Sequence, residues 1–202
     1  MVRISRPPAG YLDSFKDPVW DAPLDVEREI ESMPADAKIR GMFILPMVAE
    51  LRRLPLGSVA MRDRYLPFEF YPLREHARLL IDGCKQLFPK QPIRLGLRKL
   101  GRGAPMAFTT STLGRVVLQS VEGVVAVASA LAKGYELSLK PGRAQVEVVG
   151  PRGLIVRFDE IYYFLDSHHV GAFEGAAKHA GERARVRVLR HGHGSASLLV
   201  EW

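Results

Sequence analysis

Cysteine is almost missing from this sequence: Cys84 is the single one in 202 residues. An internal disulfide is therefore excluded, and so is any cysteine-built metal knuckle. Cys84 lies in ARLLIDGCKQLF, where a small buried thiol is expected. Long apolar runs are missing too. The best candidate, VVLQSVEGVVAVASALA, is interrupted by Gln119, Ser120 and Glu122, so no bilayer-spanning helix is expected. The opening MVRISRPPAG has no apolar stretch of signal-peptide type, which makes the cytoplasm the expected location. No run of five or six like charges occurs, so there is no acidic or basic tail. Catalytic signatures are equally scarce, with no G-x-S-x-G elbow, no Walker loop and no basic surroundings to activate Cys84. GLRKLGRGAP is glycine-rich and basic, but it lacks a preceding strand and the G-K-[ST] ending. Its glycines are expected to let helices approach closely or end. No enzyme is expected.

What is present is the balance of a folded globular chain, with 47% hydrophobic and 25% charged residues, enough to build a core. Twenty-nine Lys+Arg against 22 Asp+Glu leave a net charge of +7. That surplus suits anionic partners, although charge spread over the surface for solubility explains it equally. Residues 1–37, rich in Pro, Asp and Glu, read as an extended arm with Phe15 and Trp20 as anchors. Residues 38–202 read as a single domain. Its first half is helical. AKIRGMFILPMVAELRRL carries a dense apolar face with a kink or turn at Pro46. LREHARLLIDGCKQLF places Leu73, Ala77, Leu80, Ile81, Cys84 and Leu87 (or Phe88) at helical spacing. QPIRLGLRKLGRGAPMAF reads as a shorter helix from about Pro92, and TTSTLGRVVLQSV opens on N-capping residues. VVAVASALAKGYELS, nearly all apolar, is expected to be the central buried helix.

After Lys140 the period changes. RAQVEVVG alternates, PRG turns, and LIVRFDEI returns as the second strand of a hairpin. A helix over about Asp166–His179 ends at Gly181, and RARVRVLR and SASLLVEW close the chain as strands. The fold class is thus α+β, an N-terminal helical half followed by a β-β-α-β-β antiparallel unit.

Two motifs invite a chemical reading. His168 and His169 are adjacent, so their side chains diverge by about a hundred degrees on a helix. His179 is too far along the axis to join them, while His191 and His193 sit in a glycine turn. No metal site is expected. One of the pair is expected to face the helix–sheet interior and the other solvent. Arg183, Arg185 and Arg187 share one strand face, which Arg157 would join through pairing. That face is either an anion-reading surface or the solvated side of a half-buried sheet. With no aromatics among the arginines, base stacking has little support, and nucleic acid is not the expected partner.

The blocks IRGMFI, FEFYPLREHARLLIDG, RLGLRKLGRGAPMAFTTSTLGRVVL, YELSLKPGR and HHVGAFEGAAKHAG, with the terminal LLVEW, resemble an uncharacterised paralogous family expanded in myxobacteria. The likeness covers about residues 39–202, and the paired L-R-x-L-G-R and T-x-x-G-R elements are its specific part. That family's architecture is similar to the fold of haem–nitric-oxide-binding domains, 4-vinyl-reductase-like domains and transport-particle subunits. The resemblance implies a ligand pocket or a dimer interface between helices and sheet, with the glycine helix, Gly171 to Gly175, lying against the sheet. It does not carry over a cofactor. The haem domains hold propionates with Tyr-x-Ser-x-Arg, whereas YELSLK offers Tyr135 and Ser138 at the wrong spacing and Lys140 in place of arginine. VVAVASALAKG has no histidine for iron, and RHGHGSASLLVEW has none of the cysteines of the vinyl-reductase-like domains.

The resulting expectation is a non-enzymatic regulatory or binding module, a homodimer, with a pocket for a small hydrophobic or anionic molecule or lipid. The alternative is binding of nucleic acid or acidic lipid through the arginine-rich sheet face. Arg98, Arg102 and Arg115 recur in the family-like blocks and are candidates to pair with an anionic head. They could equally be structural, tied to Asp82, Glu75 or helix-end carbonyls. His169 is the candidate pocket histidine, and no catalytic residue, metal or cofactor is expected.

Overall fold

The computed structural model describes residues 3–54, 59–110 and 121–202. The alternation read after Lys140 forms strands β5 (Arg143–Gly150) and β6 (Gly153–Asp159), paired antiparallel with Val146 opposite Val156. Strands β7 (Arg185–Gly192) and β8 (Ser195–Glu201) close the chain, and β8 lies between β6 and β7. A two-residue strand β1 (Arg3–Ile4) adds to the β5 edge in parallel, giving the order β1-β5-β6-β8-β7. A second, three-stranded antiparallel sheet joins β3 (Phe70–Pro72), β2 (Lys38–Arg40) and β4 (Leu139–Lys140) in that order. With helices filling the first half, the fold is α+β.

The described helices are α1 (Val26–Ser32), α2 (Gly41–Leu51), α3 (Leu73–Leu87), α4 (Ile93–Thr110), α5 (Val124–Ser138) and α6 (His168–His179). Pro46 sits inside α2 and Pro105 inside α4, so neither proline ends its helix. The α4 segment is a long helix of 18 residues rather than a short one. The stretch TTSTLGRVVLQSV falls mostly on residues 111–120, outside those described. In α3, Leu73, Ala77, Leu80, Ile81 and Cys84 turn inward as their spacing predicts. Burial pushes the Cys84 thiol up to about 12, which makes it inert.

The central helix is not the most apolar one. In α6 every residue from His168 to Ala177 is buried, whereas α5 keeps Lys133, Glu136 and Leu137 exposed. Small residues explain this. A Cβ at Gly171 would strike the carbonyl oxygen of Arg98, one at Gly175 that of Arg102, and one at Gly101 that of His168. The backbones of α4 and α6 are therefore in direct contact. The glycine face of α6 is turned to α4, while Phe173 of α6 meets Phe158 of β6, so the glycine helix lies against the sheet as the resemblance implies. A bare helix face maximises backbone approach, and here the partner with a matching glycine is a helix.

Residues 3–37 dock on the body. Phe15 is buried with Ile155 and Leu199 on the outer face of the larger sheet, apart from the main core on its inner face. Lys16 and Val188 exchange both backbone hydrogen bonds, at 2.9 and 2.8 Å. Trp20 lies 4.3 Å from the Arg98 guanidinium. Among the described residues no helix is long and apolar enough to cross a membrane.

Candidate functional site

A cavity of about 330 Å³ opens among α2, α3, α4, α5 and the segment leading into α6. Met47, Leu80, Leu100 and Leu131 supply apolar wall, Glu50 and Lys99 also line it, and His76, Tyr135, Tyr163 and His168 are its aromatic polar groups. Local structure places each of them. His76 falls on the buried stripe of α3 between Leu73 and Leu80. His168 begins α6, which Gly101 allows to press against α4. Tyr163 arrives on a turn whose flanks, Glu160 and Phe164, adopt left-handed backbone (φ 55 and 46). Neither residue favours that conformation, and such turns persist where the surroundings hold them.

Both cavity histidines are buried, and Nδ1 of each has no hydrogen-bond partner. Burial pushes His76 down to about 3, with a further push from His168, and pushes His168 down to about 4. The rings are thus neutral at ordinary pH. Tyr163 is the hub of the cluster, with ring centroids 5.6 Å from His76, 5.9 Å from His168 and 4.5 Å from His169. Its own hydroxyl is held protonated by burial, as is that of Tyr135. A neutral imidazole in an apolar wall can accept one hydrogen bond and donate another. Among the described residues nothing pairs with Nδ1 of either ring, whichever of the two roles it takes.

His169 is equally buried, so the expectation that one of the pair meets solvent is corrected. The element entering α6 is covered on every side, and divergence of the two rings sends them to two interior locations. His169 stacks on Tyr135 at 5.3 Å and meets Phe158 edge-on at 5.2 Å. Its Nδ1 lies 3.3 Å from the Phe164 carbonyl, which can only accept, so Nδ1 carries the proton. Burial holds His169 well below its ordinary range.

Arg98 and Arg102 stand one turn apart on α4, and both reach Glu174 of α6. Arg98 donates through Nε at 2.9 Å and Nη2 at 2.6 Å, and Arg102 through Nε at 2.7 Å. Their partner is neither Asp82 nor Glu75, since Glu75 is held by Arg62 and Tyr65. Arg115 lies outside the described residues. The strand arginines are also engaged: Arg157 with Glu147 and the Tyr11 hydroxyl, Arg185 with Asp17, Arg187 with Glu201 and the Leu12 carbonyl. Three of these partners come from the docked arm. Among the described residues no three His, Cys, Asp or Glu side chains are grouped as a metal ion would require. Sequence reasoning missed His76 and Tyr163. The available signal was a histidine on the apolar stripe of a strongly amphipathic helix.

The family described as "Protein of unknown function (DUF2378)" matches residues 34–202. The chain belongs to this family. Comparison with curated proteins finds no match. Among solved structures it is similar to an oxygen-binding H-NOX domain related to soluble guanylate cyclases, at TM-score 0.61 and 17% identity over 80% of this chain and 93% of that one. An Fe(II) unliganded H-NOX mutant from K. algicida aligns at TM-score 0.59 and 11% identity, covering 81% and 96%. An H-NOX protein from S. oneidensis gives 0.58 and 14%, covering 81% and 95%. The DUF2378 chain therefore has an H-NOX-like fold.

Haem does not fit the described residues. Its propionates need cations, but Arg98 and Arg102 are engaged by Glu174, Lys99 lies over the Phe88 ring, and Glu50 of the cavity wall pairs with Arg53. The cavity's imidazoles, His76 and His168, are of a kind that can ligate iron, so the fit is decided by space and charge. A volume near 330 Å³ is at the small end for ligand sites of any kind.

Proposed function

We propose that this DUF2378 protein is a non-enzymatic binding module whose cavity takes a compact, largely apolar molecule carrying a hydrogen-bonding group. The single observation that carries this reading is the pair of neutral imidazoles, His76 and His168, each with an unpartnered Nδ1, in a mostly apolar wall. Leaving a buried polar atom unpaired costs stability, and a hydroxyl, amide or protonated acid group on a ligand would pair it. The H-NOX-like architecture supports a small-molecule pocket, and the cavity's volume of about 330 Å³ directs it away from haem. A homodimer, implied by the family resemblance, belongs to the same reading; sedimentation velocity at micromolar concentration distinguishes a dimer from a monomer.

Native mass spectrometry of the protein purified from cells, beside its denatured mass, tests the cavity. We expect an organic adduct on wild type that is lost in His168→Leu. A haem mass with a Soret absorption band would replace this reading with a haem one. An unadorned mass, unaltered by small apolar alcohols or phenols added to the spray solution, would move the function to the protein's surfaces.

A further inference from the structure

The three-stranded sheet carries a group of cations that the cavity does not use. Lys38 of β2 stands opposite Lys140 of β4, and Arg40 of β2 stands opposite Phe70 of β3. Like charges placed opposite each other destabilise a sheet unless something compensates them. Part of the compensation is Phe70, whose ring centre is 4.4 Å from the Lys140 ammonium and 4.6 Å from the Arg40 guanidinium. Arg40 also donates to the carbonyls of Leu137 at 2.7 Å and Phe68 at 2.9 Å. Those two residues carry large apolar side chains into solvent, Leu137 at 42% and Phe68 at 64% exposure. Of the neighbouring acids, Glu136 is paired with Lys133, while Glu69 is exposed and its carboxylate meets only the Tyr71 hydroxyl, at 3.5 Å, among the described residues, leaving three cations against one carboxylate.

We propose that this patch docks the protein on an anionic lipid bilayer, with Lys38, Arg40 and Lys140 meeting headgroups and Phe68 and Leu137 entering the interfacial layer. The charge is complementary to an anionic leaflet, and cations flanked by exposed apolar groups are the combination that interfacial binding uses. Nucleic acid suits the patch less well, because Arg40 and Lys140 both lie over the Phe70 ring that would otherwise stack a base. The surface is independent of the cavity and of whatever fills it.

Vesicle co-sedimentation of the full chain tests the proposal, using phosphatidylserine in phosphatidylcholine against phosphatidylcholine alone. Wild type is expected to bind the anionic vesicles, more weakly as salt rises, and not the neutral ones. K38Q and K140Q are each expected to weaken partitioning about fivefold. F68S is expected to weaken what binding persists at high salt. All three sites are at the surface, and unchanged melting midpoints confirm that folding is intact. Failure of wild type to bind anionic vesicles at low salt overturns the proposal. So does equal binding by the K38Q/K140Q double variant, or lysine-dependent binding to single-stranded DNA with none to vesicles.

Discussion

Glu174 and His168 lie on the same helix and are almost equally buried, 8% and 6% exposed, yet the protein treats them oppositely. Glu174 is held by three hydrogen bonds from two guanidiniums. His168 Nδ1 has no partner. A carboxylate cannot stay charged in a protein interior without compensation, so its surroundings had to be built around it. An imidazole escapes that demand by remaining neutral, which leaves its hydrogen-bonding capacity available. Charge at the α4–α6 seam is therefore compensated within the scaffold, and the proposed binding role rests on the neutral polarity left at the cavity.

Acid should separate the two regions most strongly. His76 and His168 are held at about 3 and about 4 in the folded protein, against an ordinary 6.5. Below pH 6.5 the unfolded chain therefore takes up protons that the folded one refuses. The stability contributed by the neutral rings is complete above 6.5 and is lost as pH falls toward about 4 for His168 and about 3 for His76. At pH 5 the loss is about 2 kcal/mol for each histidine. Urea midpoints at pH 7.5 and pH 5 measure it, and a flat profile would mean that the rings reach water or a proton acceptor.

Next in size is the glycine seam that positions both regions. Gly171→Ala sets a methyl against the Arg98 carbonyl, a backbone atom that cannot rotate away. We expect a loss of about 3 kcal/mol, seen as a lower urea midpoint. Gly103→Ala, where a Cβ would meet open space, is the control. Glu174→Ala should cost less, about 2 kcal/mol, because Arg98 and Arg102 retain 22% and 49% side-chain exposure and regain some hydration. If this variant abolished ligand binding while preserving stability, the seam would be functional after all.

The α+β order and the terminal strands were legible because alternation and helical spacing are local signals. The α3 stripe and the β5–β6 hairpin follow directly from Leu73, Ala77 and Leu80, and from Val146 and Val156. The identity of the central helix was not legible. Total hydrophobicity favours α5, but burial depends on how closely neighbours can approach, and in α6 that is set by Gly171 and Gly175 meeting α4. The same limit hid the candidate site. Arg98 and Arg102 are conspicuous by their blocks, but their partner lies 72 to 76 residues away. His76 comes from α3, and Tyr163 and His168 from the distant segment leading into α6, and no spacing rule joins the two. Tyr163 is the least visible, since its placement depends on left-handed backbone at Glu160 and Phe164 that neither side chain announces.

The smallest stability effect is the most informative one. His168→Leu replaces a ring whose Nδ1 has no partner with an apolar side chain in a mostly apolar wall, so no hydrogen bond of Nδ1 is lost and a buried unsatisfied atom disappears. The stability change should stay within about 1 kcal/mol and can be favourable. The mass adduct on the native protein should vanish nonetheless. A residue whose removal leaves the fold intact and empties the cavity is kept for binding. If His168→Leu instead unfolds the protein as Gly171→Ala is expected to do, the imidazole is a structural member of the seam and the contrast between the two regions fails.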